Sequence, residues 1–284
     1  MSKLKKDNSN EMSFLGHLEV LRWHLIRASV AVLFFMVVAF LSRNFIFYEI
    51  ILKPKNSDFF TNRMLAELGK WLNSNFGINA TDLVINNQPL NLVNIDMAGQ
   101  FMSHMEISLI AGLILASPFV IWELWRFIEP ALLPNERKYT RGAVVFITGL
   151  FFCGVLFGYF LIAPLSIHFL NTYIVSDQVI NTIKLSSYIR TMISVTFASG
   201  LIFELPILVF FLSKVGLITP SFMRKYRKHA YVLLLIIAAI ITPPEVFSQV
   251  LVCIPLIVLY EISILISRSV LKKKEKRLAG NVGN

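Results

Sequence analysis

The sequence predicts an all-α, polytopic membrane protein with six transmembrane helices, both termini in the cytoplasm, and a short fifth and sixth helix. Composition is the first reason. Of 284 residues, 56% are hydrophobic and only 15% charged, with a mean hydropathy of +0.66. That few charges cannot coat a soluble domain, so the bilayer must act as solvent. Segment length is the second reason, because a spanning helix needs about 20 mostly apolar residues and several runs reach that length. The third is the placement of Lys and Arg, which fall in short clusters at alternate intervals between apolar runs.

The first apolar run covers about 25–47, behind a segment 1–24 that carries Lys3, Lys5, Lys6 and Arg22. "MSKLKK" followed by Ala28–Leu41 has the outline of a secretory signal. It lacks a small-residue cleavage site and further spans follow, so it is expected to be retained as the first span. A long outer loop, about 48–105, holds only Lys53, Lys55, Arg63 and Lys70 as basic residues. Within it, Phe59, Leu65, Leu68, Trp71 and Leu72 recur at spacings that predict an amphipathic helix over Phe59–Phe76. Such a helix either caps the outer mouth, lies at the interface, or forms a binding site.

The second and third spans are expected at about 106–128 and 142–168, with Arg137, Lys138 and Arg141 between them. The next loop, 169–188, has Lys184 alone. The fourth span, about 189–213, is followed by Arg224, Lys225, Arg227 and Lys228, and the fifth by the turn 243–245. The last apolar run, 246–267, precedes a basic tail, 268–284, with Arg268, Lys272, Lys273, Lys274, Lys276 and Arg277. Every basic cluster lands on one side, which requires an even number of spans within one membrane domain, 25–267. The fifth run, His229–Thr242, covers only about 21 Å at about 1.5 Å per residue. Pro255 and Glu261 interrupt the sixth. Short spans thin the local bilayer or pack against partners, although flanking Tyr231 and Tyr260 offer a second way of extending both helices at the interface.

The net charge of +10 reads as topology rather than nucleic-acid binding, since no basic-aromatic groove or recognition module is visible. Cys153 and Cys253 sit singly in apolar runs, outside any CxxC. His17, His24, His104, His168 and His229 show no paired metal spacing, and HExxH, GxSxG and P-loop motifs are absent from the sequence. Neither catalysis nor a cofactor is expected.

An ionisable residue inside a span costs about 2.5–3.5 kcal/mol at the helix centre on insertion scales, so it normally faces protein or a wet cavity. Glu204, in "ASGLIFELPILVFF", is the clearest case. Pro206, two positions on, removes a backbone donor and kinks the helix. Glu204 is either a polar feature on a surface that receives substrate or a protonated packing residue. Glu123 and Arg126, at i and i+3, are expected to pair on one helix face, while the partner of Glu261 is not legible. On the cytoplasmic side, Glu19 and Glu136 are carboxylates on a mostly basic surface. Carboxylates bind guanidinium groups through paired, charge-assisted hydrogen bonds, so the two are candidates for reading an arginine-containing peptide. The alternative for Glu136 is simple balance of Arg137 and Lys138 in a solvated loop.

The strings "FLGHLEVLRWHL", "FIEPALLPNERK", "FELPI", "ITPPEVFSQ" and "IPLIVLYEI" together resemble the TatC family over about 14–42 and 104–270. The resemblance implies a glove-shaped, concave six-helix receptor in the bacterial cytoplasmic (inner) membrane. It would bind twin-arginine signal peptides of folded cargo, work with single-span TatA and TatB-like subunits and use the proton-motive force, and it leaves room for a homo-oligomer. It further implies that Glu136 recognises the arginines, with Glu19, Arg22 and the aromatic Phe127 nearby, and that Glu204 faces the concave surface. Tyr159, Glu245 and Gln249 match positions associated with activity toward the outer half, as does Pro54 in the first loop. One departure is notable: the family glutamate before Leu-Arg falls on Val20, and Glu19 lies one position earlier, about 100° around a helix. The first outer loop is also longer than the resemblance leads one to expect.

A second function class is a proton-coupled secondary transporter of a small solute that uses Glu204. Such transporters are often built from inverted repeats, and the two halves of this chain show none. A scaffold without substrate is a third class, made less attractive by the intramembrane Glu204.

Overall fold

The computed structural model describes residues 14–56, 58–76, 90–129, 140–176, 178, 182–241 and 246–282. Helix α1, Phe14–Leu41, is continuous from the polar approach into the apolar run. A π-helical turn, Phe45–Ile51, and a 3-10 turn, Lys53–Lys55, lead to α2, Phe60–Phe76, the amphipathic helix of the first loop. A two-residue strand β1, Leu92–Val93, precedes α3, Gly99–Ile128. Helix α4, Thr140–Phe157, passes through a π-helical turn, Gly158–Ile162, into α5, Ala163–Thr172. After β2, Ile183–Lys184, come α6, Leu185–Ile202, and α7, Leu205–Val215. The chain ends with α8, Pro220–Lys225, α9, Arg227–Ile241, and α10, Val246–Val282.

Among the described residues, five stretches are long and apolar enough to cross a membrane: Leu18–Leu41, Gly99–Ile128, Gly142–Thr172, Leu185–Val215 and Val252–Lys272. Helix α9, with 15 residues, is about 22 Å long, shorter than the hydrocarbon core of about 30 Å. The last helix departs from expectation, because α10 is not short. It runs for 37 residues straight through Pro255. A proline removes one backbone donor, but neighbouring helices can re-satisfy the freed group, and here Val252, Cys253, Leu256 and Leu259 around it are all buried in one core. Beyond the apolar part, Lys, Arg and Glu are good helix formers and carry the helix into the basic tail.

Packing is set by small residues where helices approach closely. A Cβ on Gly112 of α3 would sit 2.7 Å from the backbone nitrogen of Met36 in α1, so glycine is what lets these two helices touch along their length. Gly154 does the same between α4 and α6, where a Cβ would meet the Ser199 carbonyl at 2.6 Å. Two cores result. One joins Ala39, Ile107, Ile189 and Met192 from α1, α3 and α6; the other joins Val195, Leu234, Ala238 and Leu256 from α6, α9 and α10. Ser213 of α7 and Ser267 of α10 share a buried hydroxyl hydrogen bond of 2.7 Å.

The outer loops are tied to one another and to the spans. β1 and β2 pair in parallel, Leu92 with Ile183 and Val93 with Lys184, and Lys184 Nζ lies 2.5 Å from Asp96. This puts the loops after the first and third spans at the same end of the bundle, as an alternating topology requires. Gly216, at φ 91°, takes the left-handed conformation that closes α7, where the Leu217 amide donates back to the Leu212 carbonyl at 2.9 Å.

Candidate functional site

Glu204 sits at the break between α6 and α7. Pro206 has no amide to donate into the preceding turn, so the helix tightens there: the Glu204 amide donates to the Leu201 carbonyl, and the Glu204 carbonyl receives the amides of Ile207 and Leu208. Pro206 is itself buried. The break swings the carboxylate toward a cavity of about 320 Å³, walled by Leu113, Ser117, Trp125, Phe151, Phe197 and Phe211 among others. Neither carboxylate oxygen of Glu204 has a hydrogen-bond partner among the described residues, nor does the indole N–H of Trp125. A buried polar group without a partner is costly and demands an explanation. A wall of apolar and aromatic side chains with two orphaned polar groups fits a site that accepts an apolar segment bearing a donor for the carboxylate and an acceptor for the indole N–H.

The cavity follows α3 from Leu113 to Ile128, about 22 Å at the helical rise, while Phe127, in that same last turn of α3, turns to α1 instead. There α1 meets α3. Nδ1 of His24 is hydrogen-bonded to Oε2 of Glu123, and its ring stands edge-on to Phe127 with 6.2 Å between centroids. Glu123 is only 3% exposed. The expected Glu123–Arg126 pair is therefore corrected: the carboxylate turns inward to the first helix and Arg126 is exposed. Spacing within one helix could not show this, because the partner lies 99 residues away.

Glu19 and Arg22 are both exposed on α1, with Arg22 Nη1 3.6 Å from Glu19 Oε2. The helix is regular here, so the offset from position 20 to 19 is a full helical step. Glu136 and Glu245 lie outside the described residues. Glu261, whose partner the sequence does not reveal, accepts from Arg227 Nη2 at 2.8 Å and from the Tyr231 hydroxyl at 2.5 Å, which joins α10 to α9.

Toward the other end, Tyr159 donates its hydroxyl to the Ile50 carbonyl at 2.9 Å, and Tyr188 donates to Ile51 at 2.7 Å. Tyr188 is not expected from sequence; only its place near the start of the fourth span hints at it. Pro54 is buried in the 3-10 turn that follows Ile51, and Asn62 Nδ2 donates to the Asn56 carbonyl at 2.7 Å and more weakly to that of Pro54. Gln249 reaches from α10 to the Leu235 carbonyl of α9 at 3.2 Å. The structure thus ties Tyr159 to the turn Phe45–Ile51 that precedes Pro54 and brings Phe127 to α1, while Gln249 stands apart between the last two helices.

The profile of the family described as Sec-independent protein translocase protein (TatC) matches residues 16–255. This chain belongs to the TatC family. It is 40% identical over 269 residues to the TatC of Blattabacterium sp. subsp. Periplaneta americana, covering 95% of this chain and all of that protein. Against the TatCy of Bacillus subtilis the identity is 33%, covering 96% of this chain and 95% of its relative. A crystal structure of the twin-arginine translocase receptor TatC superposes with a TM-score of 0.64 at 30% identity, over 90% of this chain and 99% of that one. A second, in the detergent DDM, gives 0.67 at 31% identity, over 88% and 99%. The TatC chain described here is accordingly a multi-pass inner-membrane subunit of the twin-arginine protein translocase, and the small-solute transporter reading receives no support.

Proposed function

We propose that this TatC subunit is the receptor for twin-arginine signal peptides of folded precursor proteins. The observation that carries the reading is the long apolar cavity along α3, with Glu204 in its wall and neither of its carboxylate oxygens partnered among the described residues. The apolar part of a signal peptide is suited to that wall. Its arginines then fall near the loop after α3, where Glu136 is the carboxylate expected to read them as guanidinium forks, aided by Phe127 and by Glu19 and Arg22 on α1. With six spans and both termini cytoplasmic, these groups lie on the side where precursors are made. No covalent chemistry is required of this chain; the proton-motive force and single-span TatA and TatB-like subunits supply transport. Tyr159, Pro54, Gln249 and Glu245 belong to the outer-half and partner-facing part of the same scheme.

The test is binding of a labelled twin-arginine peptide to the protein in nanodiscs, beside a version with both arginines replaced by lysine. Glu136→Ala is expected to abolish the arginine preference while thermal unfolding stays unchanged, and Glu19→Ala to reduce it in part. Equal binding of the arginine and lysine peptides by the unaltered protein would sink the mechanism.

A further inference from the structure

We infer that α2 is an interfacial anchor, whose outward stripe rests in the outer leaflet at the boundary between acyl chains and headgroups, so that the ligand of this surface is phospholipid. Phe60, Met64, Leu68 and Trp71 recur every three or four residues, which places them on one face of the helix. All four are exposed, Phe60 by 65% and Trp71 by 55%. The opposite face, with Thr61, Asn62, Leu65 and Gly69, is buried against the protein. So large an apolar stripe on a helix otherwise held in place calls for a covering surface.

Its depth follows from what α2 is fastened to. The Thr61 hydroxyl donates to the Phe160 carbonyl, and Leu65 packs on Leu161 and Leu165. Those residues belong to the stretch Gly142–Thr172, whose 31 residues extend about 46 Å against a hydrocarbon core of about 30 Å. Its outer end must therefore rise through the headgroup region, and residues 160–165 lie about two to three turns below that end. Helix α2 is level with the boundary.

Continuity identifies the occupant. Along the third span, Phe146, Gly149, Cys153 and Leu156 form an exposed face at helical spacing. Phe160 is the next residue on that line, and the Phe60 ring stands edge-on to it at 6.1 Å. The lipid-facing surface of the span thus passes directly onto the stripe of α2. Trp71 is the residue type that collects at membrane–water interfaces. Arg63 and Lys70, exposed beside the stripe, have stems long enough to keep their charges at the phosphates.

The test uses the full chain in nanodiscs, in a Cys153→Ala, Cys253→Ala background. Nitroxide labels are placed one at a time at Met64→Cys, Leu68→Cys and Trp71→Cys, and for comparison at Asn73→Cys, which lies on the other side of the helix. Relaxation by oxygen, which partitions into lipid, is compared with relaxation by a water-soluble nickel chelate. The expected result is a several-fold oxygen preference at 64, 68 and 71, reversed at 73. Equal nickel access at all four positions would place the stripe in water and overturn the proposal. Protection from both reagents at 64, 68 and 71 would mean that protein covers it, and would overturn the proposal equally. Should the cysteine-free chain fail to fold, the native chain and Trp71→Phe are compared in lipid brominated along the acyl chain; a quenchable signal that vanishes in Trp71→Phe supports the anchor, and its absence refutes it.

Discussion

Two glutamates lie deep in apolar helices of this TatC protein, and their surroundings differ. Glu123, near the inner end of α3, is the more deeply buried, yet it is matched by His24 from α1. Glu204, at the α6–α7 break, is only half-buried, yet both of its oxygens face a cavity without a partner among the described residues. Burial alone does not separate a structural charge from a functional one. The presence of a dedicated partner does, because a paired carboxylate has its cost offset within the fold, whereas an orphaned one keeps its hydrogen-bonding capacity for something that arrives.

The sharpest way to break this contrast is His24→Ala. Removing one member of a buried pair leaves the other uncompensated, and a loss of about 3 kcal/mol is expected, read by thermal unfolding in nanodiscs; an unchanged midpoint would mean that the pair does not hold α1 to α3. Next in size is Gly112→Val, which leaves His24 and Glu123 in place but forces their helices apart at Met36. Overpacking there should cost about 2 kcal/mol, and a smaller effect would assign the α1–α3 contact to the His24–Glu123 hydrogen bond rather than to close approach. Glu204→Leu should act in the opposite direction, raising stability by about 1 kcal/mol as an orphaned polar group disappears, while signal-peptide binding falls. Loss of stability without loss of binding would reverse the roles given to the two carboxylates. The smallest effect belongs to Glu261→Gln, whose partner Arg227 is 43% exposed. Ion pairs of that kind contribute about 0.2–1 kcal/mol, so the unfolding midpoint should barely move.

Much of this architecture is legible because the bilayer imposes simple rules on sequence. Apolar run lengths locate the helices, and the shortness of the fifth follows from counting residues between Lys228 and Pro243. Glu204 is legible for the same reason: a charge in an apolar run, two residues before a proline, stands out from its neighbours. Sequence reasoning fails where a partner comes from another helix. Arg126 is the near neighbour of Glu123 in sequence, but the carboxylate faces the opposite way, toward a histidine that local spacing cannot connect to it. Pro255 misleads through the same omission, since its missing donor is tolerated by packing supplied from α6 and α9. The hydroxyl bonds of Tyr159 and Tyr188 to Ile50 and Ile51 use backbone acceptors, which leave no mark on side-chain pattern at all.

The small parallel pairing of β1 with β2 bears on how the molecule is put together. Its two strands are about ninety residues apart in the chain, with α3, α4 and α5 between them. Contacts that close so long a stretch form late. During synthesis, the first loop must wait until the third span has inserted and delivered its strand. The clasp at the outer end is therefore a marker of completed insertion: a chain stalled before Ile183 has its first three spans in place and nothing for β1 to grip.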